Sequence, residues 1–144
     1  MKRLIALLMC TMLVVSLFAS CGGETVYKDG IYTARSENYE GDDAGNGEGY
    51  GEVKITIKDG KISDCEFKTY TLEGELKDED YGKLDSGNKD AYNMAQKAIA
   101  ACEEYSKRLV ENNGYDDIDV ISGATINYNQ FLDAVSVALS KAKE

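Results

Sequence analysis

The chain has 144 residues and contains no histidine, no proline and no tryptophan. Without histidine it lacks the usual general base, the commonest zinc ligand and the partner of a catalytic serine or cysteine. These absences argue against a hydrolase or a zinc enzyme, and we predict no metal site. A bound cofactor is the more natural source of any chemistry.

Basic residues are scarce: 16 Lys and Arg stand against 26 Asp and Glu, which gives a formal net charge of -10. Such a surface repels nucleic acids and anionic lipid headgroups. We therefore predict no nucleic-acid partner, and attachment to a membrane has to come from a lipid rather than from a basic patch.

The N-terminus has the pattern of an export signal. Lys2 and Arg3 precede an apolar run over residues 4–18. This run is too short to span a bilayer, and small residues follow it. We predict a signal peptide at residues 1–20. Its removal leaves 14 basic against 26 acidic residues, a formal charge of -12.

Residues 17–21, Leu-Phe-Ala-Ser-Cys, resemble the lipobox of bacterial lipoproteins, although Phe18 stands where leucine is usual. The resemblance implies that Cys21 is lipidated and anchors the protein to the outer face of the cytoplasmic membrane. Residues 21–27 then form a tether, and residues 28–144 form one domain. The alternative is an ordinary secretory signal with an incidental cysteine.

Alternation of apolar and polar residues predicts three strands, at residues 30–35, 52–58 and 61–67. Asp59-Gly60 predicts a tight hairpin turn between the second and third strands. No internal repeat is visible.

The simple two-residue turn pairs Ile57 with Ile62, but it also sets acidic residues of the third strand opposite apolar residues of the second. One extra residue near Ile62-Ser63 restores apolar pairing, so we predict a β-bulge there. The alternative is that Cys65 and Phe67 pack on the opposite face of the sheet.

Residues 71–88 are charged and predict a long loop, and residues 90–112 predict a helix. The apolar residues of this helix form one stripe: Ala91, Ala95, Ala98, Cys102, Tyr105 and Leu109. Asn113-Gly114 is a typical helix stop.

Residues 118–121 predict an extended segment and residues 122–126 a turn, followed by a C-terminal helix. Asn127 is placed to cap this helix, with Gln130 positioned for a reciprocal bond. Together the elements predict an α+β domain, a small antiparallel sheet with helices packed on one side.

Two cysteines, Cys65 and Cys102, lie in the domain. An exported protein permits a disulfide between them. Cys65 is on a predicted strand and Cys102 is on an apolar helix stripe, which favours two buried thiols because free cysteine packs as a small hydrophobe.

The most informative segment is Asp119-Val-Ile-Ser122-Gly123-Ala124-Thr125. A turn that enters a helix presents unpaired N–H groups and the positive end of the helix dipole, which suits a phosphate. Gly123 permits a backbone conformation closed to other residues, and Ala124 leaves room beside the phosphate. Ser122 and Thr125 supply hydroxyls. The alternative is a loop of small residues that only caps a helix.

This segment resembles the flavin-attachment motif of the FMN-binding domain family, Asp-x-x-(Ser/Thr)-Gly-Ala-(Thr/Ser). Residues 28–34 and the hairpin at 53–61 are also similar to the family's opening strands, so the resemblance runs from about Lys28 onward. The family includes components of two membrane complexes, the sodium-pumping NADH:quinone oxidoreductase and the Rnf complex. It also includes small exported lipoproteins linked to extracellular electron transfer.

The resemblance implies that FMN is joined to Thr125 through a phosphoester, with Asp119 and the Ser-Gly-Ala residues completing the motif. It also implies that a separate exported flavin transferase installs the group from FAD with a magnesium ion. The expected function is electron transfer to membrane or extracellular redox partners. The alternative is a solute-binding or surface-interaction lipoprotein without flavin; a flavoenzyme with its own substrate lacks an acid/base constellation.

Family members place a loop from the middle of the domain near the flavin ring. By this resemblance Tyr81 is expected to stack on the ring and Gly82 to let the backbone approach it. The segment lacks the Pro-Gly sequence common in the energy-converting relatives. The alternative is a solvated acidic loop.

Overall fold

A computed structural model of the protein describes residues 25–43, 47–83 and 89–143. The predicted signal peptide and Cys21 lie outside these residues. The elements in chain order are β1 (Gly30–Arg35), β2 (Tyr50–Lys58), β3 (Lys61–Tyr70), α1 (Lys89–Asn112) and α2 (Thr125–Lys143). The α+β fold class is confirmed. Within the part of the chain that the structure describes, neither helix is long and apolar enough to cross a membrane.

The three strands form one antiparallel sheet in the order β1-β2-β3. Val53, Ile55 and Ile57 alternate along β2 with polar residues, and these three side chains are buried. Helix α1 packs mainly on β3, and α2 packs on β1 and β2. The hydrophobic core lies between this face of the sheet and the two helices.

The β-bulge predicted near Ser63 is confirmed. Ile57 faces Ile62, but the next residue of β2, Thr56, faces Asp64, so Ser63 is the extra residue. The bulge brings the remaining apolar residues of β3 opposite those of β2, because it shifts the side-chain alternation by one position. Two pairs result, Val53 with Phe67 and Ile55 with Cys65.

Tyr27, the last residue of the predicted tether, already packs against the domain. Its side chain packs in the core, and its N–H donates to the carbonyl of Gly60 (3.2 Å). The N–H of Lys28 donates to the carbonyl of Ala142 at the end of α2 (2.8 Å). Both ends of the domain are therefore tied to the same edge of the fold.

Only the C-terminal half of α1 is buried, so the predicted apolar stripe is partly wrong. Cys102, Tyr105 and Leu109 are buried, whereas Ala91 is exposed and Ala95 and Ala98 are half-buried. Hydrogen bonds explain the difference. Ser106 and Asn113 accept from backbone N–H groups of β3 (3.0 and 2.8 Å). The N-terminal half of α1 instead contacts the loop between β3 and α1, described over residues 71–83 and called the middle loop below.

The prediction that Asn127 caps α2 is wrong, because the helix begins at Thr125. The Asn127 amide instead donates to the carbonyl of Ala98 (2.9 Å) and to the sulfur of Cys102 (3.3 Å). The predicted reciprocal partner, Gln130, is buried and donates to the carbonyl of Gly49 (3.1 Å). The two amides therefore join α2 to α1 and to the start of β2.

Cys65 and Cys102 are free thiols. Cys102 is buried and Cys65 half-buried. Cys102 lies beside Thr69, four residues further along β3 than Cys65. That offset keeps the two sulfurs apart, since successive strand residues advance by about 3.3 Å.

Phe131 of α2 packs where three elements meet. Its ring contacts Phe67 of β3 (5.1 Å between centroids) and Tyr105 of α1 (5.5 Å). We predict that Phe131→Ala lowers the free energy of unfolding by about 3–5 kcal/mol, because it leaves a cavity where three elements meet. Urea denaturation measures the change. Val137→Ala is the matched control on the same helix; Val137 is 40% exposed, and its change should stay below about 1 kcal/mol. Equal losses in both variants would contradict this account of the core.

Candidate functional site

The Ser-Gly-Ala-Thr segment forms a tight turn that runs directly into α2. The N–H of Ala124 donates to the carbonyl of Ile121 (2.9 Å), which closes a four-residue turn with Ser122 and Gly123 at its tip. Gly123 has φ +84°. A turn of this kind requires positive φ at its third position, so glycine is the residue that fits. Both tip residues are exposed to solvent.

Helix α2 begins without a side-chain cap. The carbonyl of Ala124 accepts the first helical bond, from the N–H of Tyr128 (2.9 Å), so Ala124 occupies the N-cap position. Alanine has no side-chain oxygen with which to bind the first-turn donors. Among the described residues, no hydrogen-bond acceptor serves the N–H groups of Thr125, Ile126 and Asn127. Three donors are therefore free to bind an anion.

Thr125 is the first residue of α2 and is exposed, as is Ser122 on the turn. A phosphate held by the first-turn N–H groups would meet the Thr125 hydroxyl at the same helix end. The residues present therefore fit a phosphate group bound at, or esterified to, this end of the helix. Ala124 is 2% exposed and packs in the core, which adds a second reason for a small side chain there.

Side chains from both helices fix the backbone that leads into the turn. The Tyr128 hydroxyl donates to the carbonyl of Ile118 (2.7 Å), and the Arg108 guanidinium donates to the carbonyl of Asp119 (3.3 Å). Asp119 is exposed, and its main chain makes this contact. The Tyr105 hydroxyl accepts from the N–H of Ile121 (2.9 Å). The segment before α2 is thus irregular but held at several points.

The predicted middle-loop residues lie against the N-terminal half of α1. The carbonyl of Tyr81 accepts from the Gln96 amide (3.2 Å), and Gly82, with φ +80°, lies beside Ala95. The side chain of Asn127, in the first turn of α2, contacts Ala98 of α1. Ala98 lies within one helical turn of Ala95 and Gln96. The structure therefore brings the Tyr81-Gly82 loop and the Thr125 turn to neighbouring positions on α1.

Sequence reasoning missed Lys77, a half-buried lysine of the same loop. Its ammonium donates to the carbonyl of Glu48 (2.7 Å) and lies 4.9 Å from the centre of the Tyr81 ring. Burial lowers the pKa of Lys77, while the Glu48 carboxylate acts in the opposite direction. No periodic pattern marks this residue, because it lies in a loop and its surroundings come from a distant segment.

Close backbone approach brings the start of β2 against the middle loop. The Tyr81 hydroxyl lies against Gly47, and a side chain at Gly49 would collide with the carbonyl of Tyr70 and with Lys77. Gly49 also has φ +147°, which residues other than glycine disfavour. The Gln130 amide binds the Gly49 carbonyl and connects this region to α2.

A cavity of about 270 Å³ lies between β3 and α1. Its surface is mainly apolar, with Phe67, Leu76, Ile99 and Cys102 in the wall. Charged residues line it as well: Glu66, Lys68, Lys77 and Glu103. Asn127, in the first turn of α2, contacts one residue of this wall, since its amide donates to the Cys102 sulfur (3.3 Å).

Comparison with known proteins identifies the class to which this fold and turn belong. The model of the FMN-binding domain family matches residues 47–140, which include the turn, the middle loop and most of both helices. The chain therefore belongs to the FMN-binding domain family. No curated protein matches the chain significantly.

Two solved structures are similar. A crystal structure of the CPE2226 protein from Clostridium perfringens is 27% identical with a TM-score of 0.59, over 81% of this chain and 89% of that one. A solution NMR structure of a protein from Clostridium thermocellum is 26% identical with a TM-score of 0.44, over 81% of this chain and 93% of that one. The C. perfringens protein shares the fold.

We predict that both domain thiols react slowly in the folded protein. Burial raises the pKa of Cys65 to about 12 and also raises the pKa of Cys102. At pH 8 a pKa of about 12 in place of about 9 reduces the thiolate fraction roughly a thousandfold. Iodoacetamide labelling followed by peptide mass spectrometry measures each thiol separately, with the urea-unfolded chain as control.

The same pKa shifts set a pH dependence of stability. The folded state holds the thiol proton more tightly than the unfolded state, so the contribution of Cys65 is present below about pH 9 and is lost as the pH rises towards about 12. In the iodoacetamide experiment, equal labelling rates for the folded and the urea-unfolded protein would contradict the burial of these thiols.

Proposed function

We propose that this protein is an extracytoplasmic electron carrier whose FMN is attached covalently to Thr125 through a phosphoester. Membership of the FMN-binding domain family supports flavin binding. The observation that carries the proposal is the exposed Thr125 hydroxyl at the start of a helix whose first three N–H groups have no acceptor among the described residues.

Attachment is a phosphoryl-type transfer from FAD, carried out by a separate flavin transferase with a magnesium ion. A bond forms between the Thr125 oxygen and the phosphorus of the FMN half. The phosphoanhydride bond of FAD breaks, AMP leaves, and the hydroxyl proton is released. The N–H groups of the first turn would bind the phosphate oxygens of the resulting diester. Thr125 is thus the modified residue, not a catalyst.

When bound, FMN supplies one- or two-electron transfer. The first-turn N–H groups of α2 would hold its phosphate. The sequence contains no histidine, the usual general acid and base of an enzyme with its own substrate. A carrier that docks briefly with redox partners is therefore favoured over an enzyme with its own substrate. The high negative charge makes such docking sensitive to salt.

The lipobox resemblance supports a location at the outer face of the cytoplasmic membrane, with Cys21 as the lipidated residue. Covalent lipid supplies the anchor that the acidic surface does not. An exported site of action also agrees with maturation by an exported flavin transferase. Metabolic labelling with a fatty acid, compared between wild type and Cys21→Ala, tests this part of the proposal.

We predict that Thr125→Ala abolishes covalent flavin, because it removes the acceptor oxygen. The protein is co-expressed with a flavin transferase, and in-gel fluorescence after denaturation and intact mass report the attached group. Ser122→Ala is the matched control: it removes the other exposed hydroxyl of the motif and should leave the flavin attached. Flavin on Thr125→Ala would exclude this site, and its absence from wild type in an active host would favour the lipoprotein without flavin.

Charges on the middle loop should set the midpoint potential in opposite directions. The side chain of Glu79 is exposed, and the Tyr92 hydroxyl binds the main-chain carbonyl of Glu79 rather than its carboxylate. Lys77 is half-buried. Glu79→Gln should raise the potential and Lys77→Gln should lower it by more, because a partly buried charge is less screened by water and reduction adds negative charge. Spectroelectrochemical titration measures both. Unchanged potentials in both variants would place the flavin ring away from this loop.

A further inference from the structure

Tyr105 is a fully buried tyrosine in the core position where the sequence pattern predicts only an apolar residue. Its ring stacks on Phe131 (5.5 Å between centroids, 20° between planes) and tilts against Tyr128 (5.6 Å, 49°). Aromatic contacts on α2 thus fix the direction of the Tyr105 ring. A phenylalanine would satisfy these contacts equally well, so packing alone does not explain the hydroxyl.

The hydroxyl of Tyr105 lies between the two ends of the Ile121–Ala124 turn. It accepts a hydrogen bond from the N–H of Ile121 (2.9 Å) and donates one to the carbonyl of Ala124 (3.4 Å). Burial raises the pKa of Tyr105, so the hydroxyl keeps the proton that it donates. One buried oxygen therefore binds both ends of the turn. Tyr105 lies 16 positions before Ile121 and 19 positions before Ala124 in the sequence.

The turn's own bond, from the N–H of Ala124 to the carbonyl of Ile121 (2.9 Å), joins the same two residues that the Tyr105 hydroxyl binds. Ser122 and Gly123 are exposed, and a Cβ built on Gly123 would meet nothing within 4 Å. The position of the tip, and of the Thr125 hydroxyl next to it, depends on the two ends of the turn. Both ends bind Tyr105.

We propose that Tyr105 is a positioning residue for flavin attachment, which rests on the proposed function: its hydroxyl holds the turn in the shape that presents Thr125 to the transferase. The residue does not touch the reacting atoms. It acts through the backbone of Ile121 and Ala124, and it keeps the Ala124 carbonyl aligned as the first acceptor of α2. Loss of the hydroxyl should loosen the turn while the core stays packed.

Tyr105→Phe tests the proposal, because it removes one oxygen and preserves the ring. Ser106→Ala is the matched control. It removes the neighbouring buried hydroxyl, which accepts from the N–H of Phe67 (3.0 Å) and donates to the carbonyl of Cys102 (3.0 Å), away from the turn. Thermal unfolding and near-UV circular dichroism confirm that each full-length variant is folded at the assay temperature.

Two measurements are made. Amide hydrogen exchange at Ile121, in protein without flavin, should be about tenfold faster in Tyr105→Phe, the factor that one lost hydrogen bond represents. The initial rate of flavin attachment by purified transferase with FAD should fall by a similar factor, about tenfold, in kcat rather than in KM, because the docking surface is unchanged. Ser106→Ala should leave both values near wild type.

Wild-type attachment kinetics in Tyr105→Phe would overturn the proposal, and so would an equal loss in Ser106→Ala, which would show a general effect of stability. Unchanged exchange at Ile121 would also overturn it, because the turn would not depend on the hydroxyl. If wild-type protein takes up no flavin from an active transferase, the proposed function fails first and the positioning role falls with it. That outcome differs from one in which wild type and Tyr105→Phe are modified alike.

Discussion

The contact of Phe131 with Phe67 and Tyr105 is the interaction on which the rest of the structure depends. It joins α2 to β3 on one side and to α1 on the other, so three elements share one aromatic cluster. Because α2 is fixed there, its first turn has a defined position relative to α1. The irregular segment before α2 needs no regular secondary structure, since side chains of both helices bind its carbonyl and N–H groups.

The sheet was predictable from local pattern. Alternating residues indicated the strands, Asp59-Gly60 indicated the turn, and the conflict of register between β2 and β3 required an extra residue at Ser63. These inferences use neighbours along the chain and the fixed two-residue period of a strand. The motif Asp119–Thr125 was also visible locally, and the family match covers it.

What the sequence did not reveal depends on contacts between distant residues. The start of α2 was misplaced because Asn127 looks like a cap, yet its amide binds α1 instead. The N-terminal half of α1 is less buried than its apolar stripe predicts, because residue spacing does not tell which part of a helix meets the sheet. Lys77 had no signal at all. Tyr105 does carry a signal, because a tyrosine within an apolar stripe requires a hydrogen-bond partner, and that partner lies on the turn.

The burial of Tyr27 limits how far the domain could stand from a membrane. If Cys21 bears the lipid, the membrane anchor stands only a short stretch of chain before a side chain fixed in the core. Six residues span at most about 20 Å. The domain would stay within one protein diameter of the bilayer. Encounters would then occur by lateral diffusion in two dimensions, with partners that come equally close to the lipid surface.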